Sequence, residues 1–446
     1  MGLLQRLTRA SFSHGIHPAE HKAETRDKAI RRLPFAPRLV VPLAQHIGKP
    51  AVPLVHVGQE VLRGELIAHA DGFLSVPVHA PATGVVEAIE LRPTARGDKG
   101  MAIVIRVYQG DSQMIAGGVP QNLTAMTPEA LIAAVQQAGL AGLGGGTFPT
   151  HAKLKIPEGF AIDTLLANGC ECEPYLTTDH RVMLEQTDDL LRGVRIAMRA
   201  CGAPRAIIGI EDNKLDALAK VKAAIRPGEP IEAQAVKTKY PQGAEKILLK
   251  SLLGREVPSG GQIFQTGACM LNVGTLAAIG KLLPRGEGLI ERVITVAGPG
   301  VKQPGNYRVP LGTPVGFILE QLGFNGTAAE VILGGPMMGQ AVASLEVPVT
   351  KGTSGLLVMN EAYLNQPQRK SQPCIKCGEC VNACPMHLNP KELGLLAAKG
   401  EYQLMAERFH LNDCFECGCC SFVCPSAIPL VQQFRVAKAA NRGRAA

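Results

Sequence analysis

Nine of the 13 cysteines in this 446-residue sequence fall between Cys374 and Cys424. Cys374, Cys377, Cys380 and Cys384, followed by Pro385, read C-x2-C-x2-C-x3-C-P. Cys414, Cys417, Cys420 and Cys424, followed by Pro425, repeat the pattern. Soft thiolates at this spacing wrap three corners of an iron–sulfur cubane from one tight loop, and the Cys-Pro of the other run supplies the fourth. The expected sets are Cys374, Cys377, Cys380 and Cys424 for one [4Fe–4S] cluster, and Cys414, Cys417, Cys420 and Cys384 for the other. Eight thiolates fill eight iron corners, leave no iron open for bond chemistry, and make a one-electron wire. Zinc would call for four ligands in two pairs, which the two octads are not. Cys419 is surplus and reads as a small buried residue.

The second chemical signal is AGLAGLGGGTFPTHAKL, residues 138–154. Gly142, Gly144, Gly145 and Gly146 crowd one loop behind the apolar helical stretch Pro128–Leu140. Such a loop lets backbone N–H groups close on an anionic or planar ligand, with Lys153 as a phosphate counter-charge. It is neither the G-x-G-x-x-G fingerprint nor a P-loop, and a flexible turn is the competing reading. Asn168, Glu171 and Glu173 follow a strand within 162–175, YPQGAEK (240–246) opens a helical stretch ending near Leu253, and Asn272 stands at a strand end in LNVGTL (271–276). These groups suit a flavin with a nicotinamide, which spacing alone does not prove.

The positioning elements are legible from pattern. The strand AIIGIE (206–211) and the helical DNKLDALAKVKAAI after it indicate an α/β layer. Residues 35–110 alternate through many turns, as in a biotinyl/lipoyl-type barrel-sandwich, but the tip Ala70-Asp71-Gly72-Phe73 has no lysine to modify, so a structural or docking role is expected. Residues 291–360 read as a hairpin turning at Pro304-Gly305 and then a helix, a β-grasp module of the soluble-ligand-binding type. The segment between the cysteine runs reads as one or two helices. The expected architecture is multidomain α/β plus β: an arm (1–34), a barrel-sandwich (35–115), an α/β flavin/NADH domain (116–290), a β-grasp module (291–362) and an α-helical ferredoxin-type domain (363–446).

Composition sets the outer limits. Hydrophobic residues are 46% and charged residues 19%, enough apolar material for true cores. Net charge is +8, with +5 in residues 1–38 and +4 in residues 425–446, so the body is near neutral. Basic ends fit an acidic partner or membrane surface, or simple solvation. No aromatic residues interleave with them, and nucleic-acid binding is not expected. No continuous apolar 20-mer and no secretory leader is read, which points to the cytoplasm. His14, His17 and His21 are expected to lie on an arm held by packing rather than to ligate metal.

Taken together, FSHGIHPAEHK (12–22), VVPLAQHIGKPAVPLVHVGQEV (40–61), GLGGGTFPTHAKL (142–154), NGCECEPYLTTDH (168–180), YPQGAEK, LNVGTL, GGPMMG (334–339) and the cysteine runs resemble the C-subunit family of the Rnf complexes. Those complexes are the ion-translocating NADH:ferredoxin oxidoreductases of bacterial membranes. The chain is also similar, at a greater distance, to the flavoprotein subunit of respiratory complex I. The resemblance implies non-covalent FMN, with the glycine loop (Gly142, Gly144, Gly145) around it and Lys153 near its phosphate. It implies that Asn168, Tyr240, Gly243, Glu245 and Asn272 meet flavin or NADH and that Glu173 meets the nucleotide; Phe148 reads as a wall on the nicotinamide side, with core filler as the competing reading. No catalytic base is implied. Leu143 stands where the complex I relative has Arg, Cys170 where it has Asp, and Gly146-Thr147 where Ala-Gly is usual; these departures bear on nucleotide affinity and flavin potential. The implied protein is a peripheral, cytoplasmic-side input subunit that passes electrons from NADH through FMN and two [4Fe–4S] clusters to an iron–sulfur partner protein of the same complex, and indirectly to ferredoxin. Two alternatives are a soluble cobalamin reductase of a propanediol-utilisation microcompartment, which shares these modules, and a wire subunit with a decayed nucleotide site.

Overall fold

The computed structural model of the chain describes residues 10–110, 112–324, 328–364 and 370–445. Its centre is a four-stranded parallel sheet built from Thr164–Gly169, Ala206–Glu211, Ile231–Val236 and Ala268–Asn272. In space the order is Ile231–Val236, Ala206–Glu211, Thr164–Gly169, Ala268–Asn272. The runs are aliphatic because helices cover both faces, as parallel sheets require. Strand order reverses between Thr164–Gly169 and Ala268–Asn272, and Asn168 faces Asn272 in register at their carboxyl ends. Open α/β sheets bind ligands at such a switch point.

Two helices, Thr187–Cys201 and Val273–Leu282, pack together on one face of this sheet. Glycines set how close they come. A Cβ built on Gly193 would overlap the carbonyl oxygen of Leu276, and one built on Gly280 would overlap that of Asp189. Gly193→Ala is therefore expected to destabilise the chain by roughly 3 kcal/mol, because two backbones must separate. Thermal unfolding followed by circular dichroism measures this, and an unshifted midpoint would contradict it. Val273–Leu282 begins at Asn272, so its depth also fixes the switch-point crevice.

The N-terminal β module pairs Arg38–Pro42, Glu60-Val61, Gly84–Pro93 and Lys99–Val107 in one antiparallel sheet. Val52-Pro53, Leu66–His69 and Val78-His79 form a second. Leu39, Val41, Ile67, Ile103 and Ile105 fill the space between them. The lysine-free tip places Gly72 in a left-handed turn. The next module has a mixed sheet in which Glu291–Ala297 and Gly355–Asn360 run parallel at the centre, with Val315–Leu322 as its helix. Its antiparallel partner Gly305–Pro310 starts at the expected turn.

Residues 10–34 are more integrated than an arm held by surface packing. Ala10 bridges Val236 at the edge of the parallel sheet, and Ile16 bridges Tyr240. Arg31-Arg32 adds an edge strand to the mixed sheet. Arg32 and Arg63 both pair with Glu291. Lys22 is buried, with its ammonium on the carbonyls of Glu171 and Leu176. Near the other end, Arg435 and Lys438 share Glu416. Much of the basic charge at the two ends is thus engaged in internal contacts.

Where the three N-terminal modules meet, Lys351 is fully buried, its Nζ donating to Pro77 O at 2.7 Å and its backbone N–H to Gln45 Oε1 at 3.1 Å. Burial pushes this amine down to about 7, and burial with Lys351 pushes the neighbouring His79 down to about 4. The folded state thus disfavours the protonated amine. The penalty is complete below about pH 7 and fades as pH rises toward the unfolded value of 10.5. Lys351→Met should raise stability by on the order of 3 kcal/mol at pH 6, and by progressively less toward pH 10. Denaturant midpoints at the two pH values test this; a gain independent of pH would exclude the charge as its cause.

The C-terminal module is helical: Glu379–Asn382, Pro390–Ala398, Tyr402–Phe409, Cys419–Phe422 and Leu430–Ala445. It is an internal repeat with an offset of 40 residues. Lys376, Gly378 and His387 in the first copy and Glu416, Gly418 and Ala427 in the second all take left-handed backbone angles. Leu393, Met405, Leu411, Val431 and Phe434 form its core. Among the described residues, no helix is long and apolar enough to cross a membrane.

Candidate functional site

The glycine loop lies across the switch point. Gly142 N–H closes the turn onto Phe148 O at 2.9 Å, and Leu143 N–H is held by Thr275 Oγ1 at 2.9 Å. The N–H groups of Gly144, Gly145 and Gly146 make no hydrogen bond within the described residues. These three glycines form an exposed crest. A Cβ on Gly145 or Gly146 would meet nothing within 4 Å, whereas one on Gly144 would stand 3.2 Å from Cβ, Cγ and Nδ2 of Asn272. Gly145 itself has φ +96°. An open crest with free N–H donors over a helix start fits an anionic, planar ligand.

The expected ligand residues separate into two groups. Around the cradle, Lys153 Nζ reaches Glu245 Oε1 at 2.8 Å, both side chains being about one-third exposed. Asn168 Nδ2 donates to Gly243 O at 2.8 Å while its Oδ1 accepts Cys170 N–H at 3.0 Å. Gly243 has no room for a side chain, since a Cβ would run into Cys170 O. Asn272 caps its helix through Gly274 N and Thr275 N and donates to Asp179 Oδ2 at 2.6 Å. Phe148 is half-buried beside the loop.

Tyr240 and Glu173 turn away from the crest. Tyr240 is buried and donates its hydroxyl to Cys417 O at 2.7 Å. Glu173 accepts the N–H groups of Met337 and Met338, in the GGPMMG loop, at 3.0 and 2.9 Å. Burial pushes its carboxyl up to about 7, against the pull of those two donors. The polar ends of both side chains are thus engaged by neighbouring modules.

Sequence reading missed the residues behind the cradle. Arg292 is buried and donates through Nη2 to Leu143 O at 2.8 Å and to Thr353 O at 3.0 Å, so the mixed sheet supports the glycine loop from below. Burial lowers its guanidinium to about 10, still cationic, and Asp179 is the charge that opposes this shift. Asp179 is pushed upward, first by burial and then by Glu171. Glu171 caps Thr178–Glu185 from outside, accepting Thr178 Oγ1 at 2.7 Å and Asp179 N–H at 3.0 Å. Glu171 is one of the polar residues the sequence reading names, whereas Asp179, inside the same NGCECEPYLTTDH motif, could have been flagged and was not. Arg292, on an ordinary strand, carried no signal.

The cysteines come together in the crossed sets. Cys380 is pushed up first by burial and then by Cys377 and Cys424, with Cys374 also contributing. Cys420 is likewise pushed up by burial and then by Cys414, Cys417 and Cys384. Backbone contacts enforce the crossing: Gln372 N–H meets Ser426 O at 2.9 Å, and Ser426 Oγ meets Pro373 O at 3.0 Å. Among the described residues no three His, Cys, Asp or Glu converge on one metal ion. A cubane needs no such convergence, because each iron corner takes a single thiolate. The donor set, all thiol and two by four, fits two cubanes. Cys419 is fully buried, as expected.

A glycine cradle at a sheet switch point, joined through a buried tyrosine to one of two four-thiolate sets, defines a flavin- and iron–sulfur-dependent oxidoreductase component. Family models match four segments: an RnfC barrel sandwich hybrid domain at residues 10–109, a Nuo51 FMN-binding domain at 135–281, an SLBB domain at 293–341 and a 4Fe-4S dicluster domain at 373–428. The C subunit of the proton-translocating ferredoxin:NAD(+) oxidoreductase complex of Clostridium ljungdahlii is 41% identical over 97% of this chain and 94% of its own length. The Na(+)-translocating counterpart of Acetobacterium woodii is 39% identical over 85% and 86%. The C subunit of the ion-translocating oxidoreductase complex of Haemophilus influenzae is 39% identical over 96% of this chain and 64% of its own. An NAD+-reducing [NiFe]-hydrogenase structure, 22% identical, superposes with a TM-score of 0.50 over 71% of this chain and 64% of that one, a likeness of fold. The chain belongs to the RnfC family, the C subunits of Rnf complexes, and its cofactors are FMN and [4Fe–4S] clusters, with NAD as substrate.

Proposed function

We propose that this chain is the NADH-oxidising electron-input subunit of a membrane-bound, ion-translocating NADH:ferredoxin oxidoreductase, working reversibly and bound to the cytoplasmic side as a peripheral subunit. Its partners are the other subunits of that complex, including an iron–sulfur subunit that exchanges electrons with it, and ferredoxin at one remove. The observation that carries the reading is the contact between Tyr240 and Cys417 O, which fastens the cradle side of the flavin domain to one cysteine set. The names of the relatives, all subunits of complexes, favour it over the soluble corrin reductase.

Flavin, when bound, supplies the conversion between a two-electron donor and one-electron acceptors. The chain's residues bind and orient. The N–H groups of Gly144–Gly146 face the ligand side, Lys153 offers charge beside the crest, and Asn168 and Asn272 brace the crevice from below. No side chain has to move a proton for this exchange.

Anaerobic reconstitution followed by titration with NADH and NADPH tests the reading. NADH should bleach the flavin absorbance and then raise the cluster EPR signals; a flavin that NADH leaves oxidised would overturn it. Lys153→Ala should weaken FMN about ten- to a hundredfold, since one charge-assisted contact to its phosphate would be lost and Glu245 would be left without its cation. Equilibrium dialysis of FMN gives that ratio, and unchanged affinity would put the phosphate elsewhere.

A further inference from the structure

The two cysteine loops share one backbone but not one environment. Around the second, Tyr240 meets Cys417 O, Met337 packs near Gly418, and Lys246 and Ser259 hold Asp413. Cys417 is half-buried and Cys419 fully buried. Forty residues earlier the positions are bare. Ile375 is 68% exposed, and Lys376, Cys377 and Glu379 are exposed. The charges differ as well. Glu416 is neutralised by Arg435 and Lys438, while its repeat mate Lys376, like Lys370, has no acidic partner among the described residues.

Resting on the electron-transfer reading above, we infer that the Cys374–Gly378 loop is the docking point for the iron–sulfur partner subunit, a one-electron carrier that presents carboxylates around an apolar spot. An exposed branched aliphatic side chain next to an exposed cluster-ligand cysteine is where a redox partner gains contact and proximity together. Lys370 and Lys376 outnumber Glu379, so the face attracts acidic surfaces and speeds encounter at low salt. The other set is enclosed by this chain's own modules, which makes the loop at Cys374 the outward one.

The test uses the reconstituted full chain and, in place of the partner subunit, a small, acidic two-cluster ferredoxin, oxidised, whose surface has the inferred chemistry. Lys376→Glu fits the backbone, because Glu416 already occupies the equivalent left-handed position. Calorimetric binding at low ionic strength should weaken at least tenfold in Lys376→Glu and in Ile375→Ser, and added salt should narrow the gap for Lys376→Glu. Iron content and NADH bleaching of the chain's own flavin should match wild type. Failure of the wild-type chain to bind, or equal binding by the variants, overturns the docking surface. Loss of NADH bleaching in the wild-type chain strikes the function proposed above and leaves the binding result to decide this one.

Discussion

Gly144→Val is expected to abolish FMN binding and leave both clusters in place. A Cβ at this position already sits 3.2 Å from three atoms of Asn272, tighter than ordinary van der Waals contact. Asn272 cannot retreat, because its amide holds Gly274 N and Thr275 N on one side and Asp179 on the other. Valine adds two methyl groups in the same place, so the crest must lift and its free N–H groups lose their aim. The expected loss of affinity is more than about a hundredfold, upward of ~2.7 kcal/mol. The cysteine module lies more than two hundred residues further on and should keep about eight irons per chain. Flavin content by absorbance and iron by colorimetry give the two readouts. A variant that keeps its FMN and its NADH-driven cluster reduction would reduce the loop to a plain turn.

The second large effect concerns the crossover. Cys384→Ser should remove the cluster held mainly by Cys414, Cys417 and Cys420, although Cys384 belongs to the first run. In the fold Cys384 is a neighbour of Cys417, and Cys414 and Cys420 each have Cys384 beside them. Iron should fall from about eight to about four per chain, with one of two EPR signals lost. Cys424→Ser should remove the other signal. If Cys384→Ser instead silences the cluster of Cys374, Cys377 and Cys380, the ligand sets are not crossed. NADH should still bleach the flavin of Cys384→Ser, because the glycine loop and Cys384 belong to different modules.

What the sequence determined by itself is the chemistry with short reach. Ligand spacing within a cysteine run is set by the covalent path of one loop, so C-x2-C-x2-C-x3-C-P specifies a cubane before any packing exists. Glycine crowding specifies a loop that can approach a ligand, and runs such as AIIGIE specify buried strands, because burial on both faces leaves no room for alternation. Residue reading names Lys153, Asn168 and Asn272, the resemblance adds Glu245, and the fold sets all four around one crevice.

Tertiary structure alone decided how those pieces face one another. Asn168 and Asn272 are opposed only because strand order reverses between their strands. Tyr240 and Cys417 stand 177 positions apart, and Lys22 and Glu171 149 apart, so no local pattern could pair them. Glu173 reads in sequence as a nucleotide ligand, but in the fold its carboxylate is engaged by the GGPMMG loop of another module. Arg292, on a strand with no distinguishing pattern, props the glycine loop. The two cysteine runs are nearly equivalent as sequence, and only their neighbours make one enclosed and the other bare. Periodicity and spacing record what a residue does to its own segment. Contacts between modules depend on how separately folded surfaces meet, and short-range patterns carry little of that information.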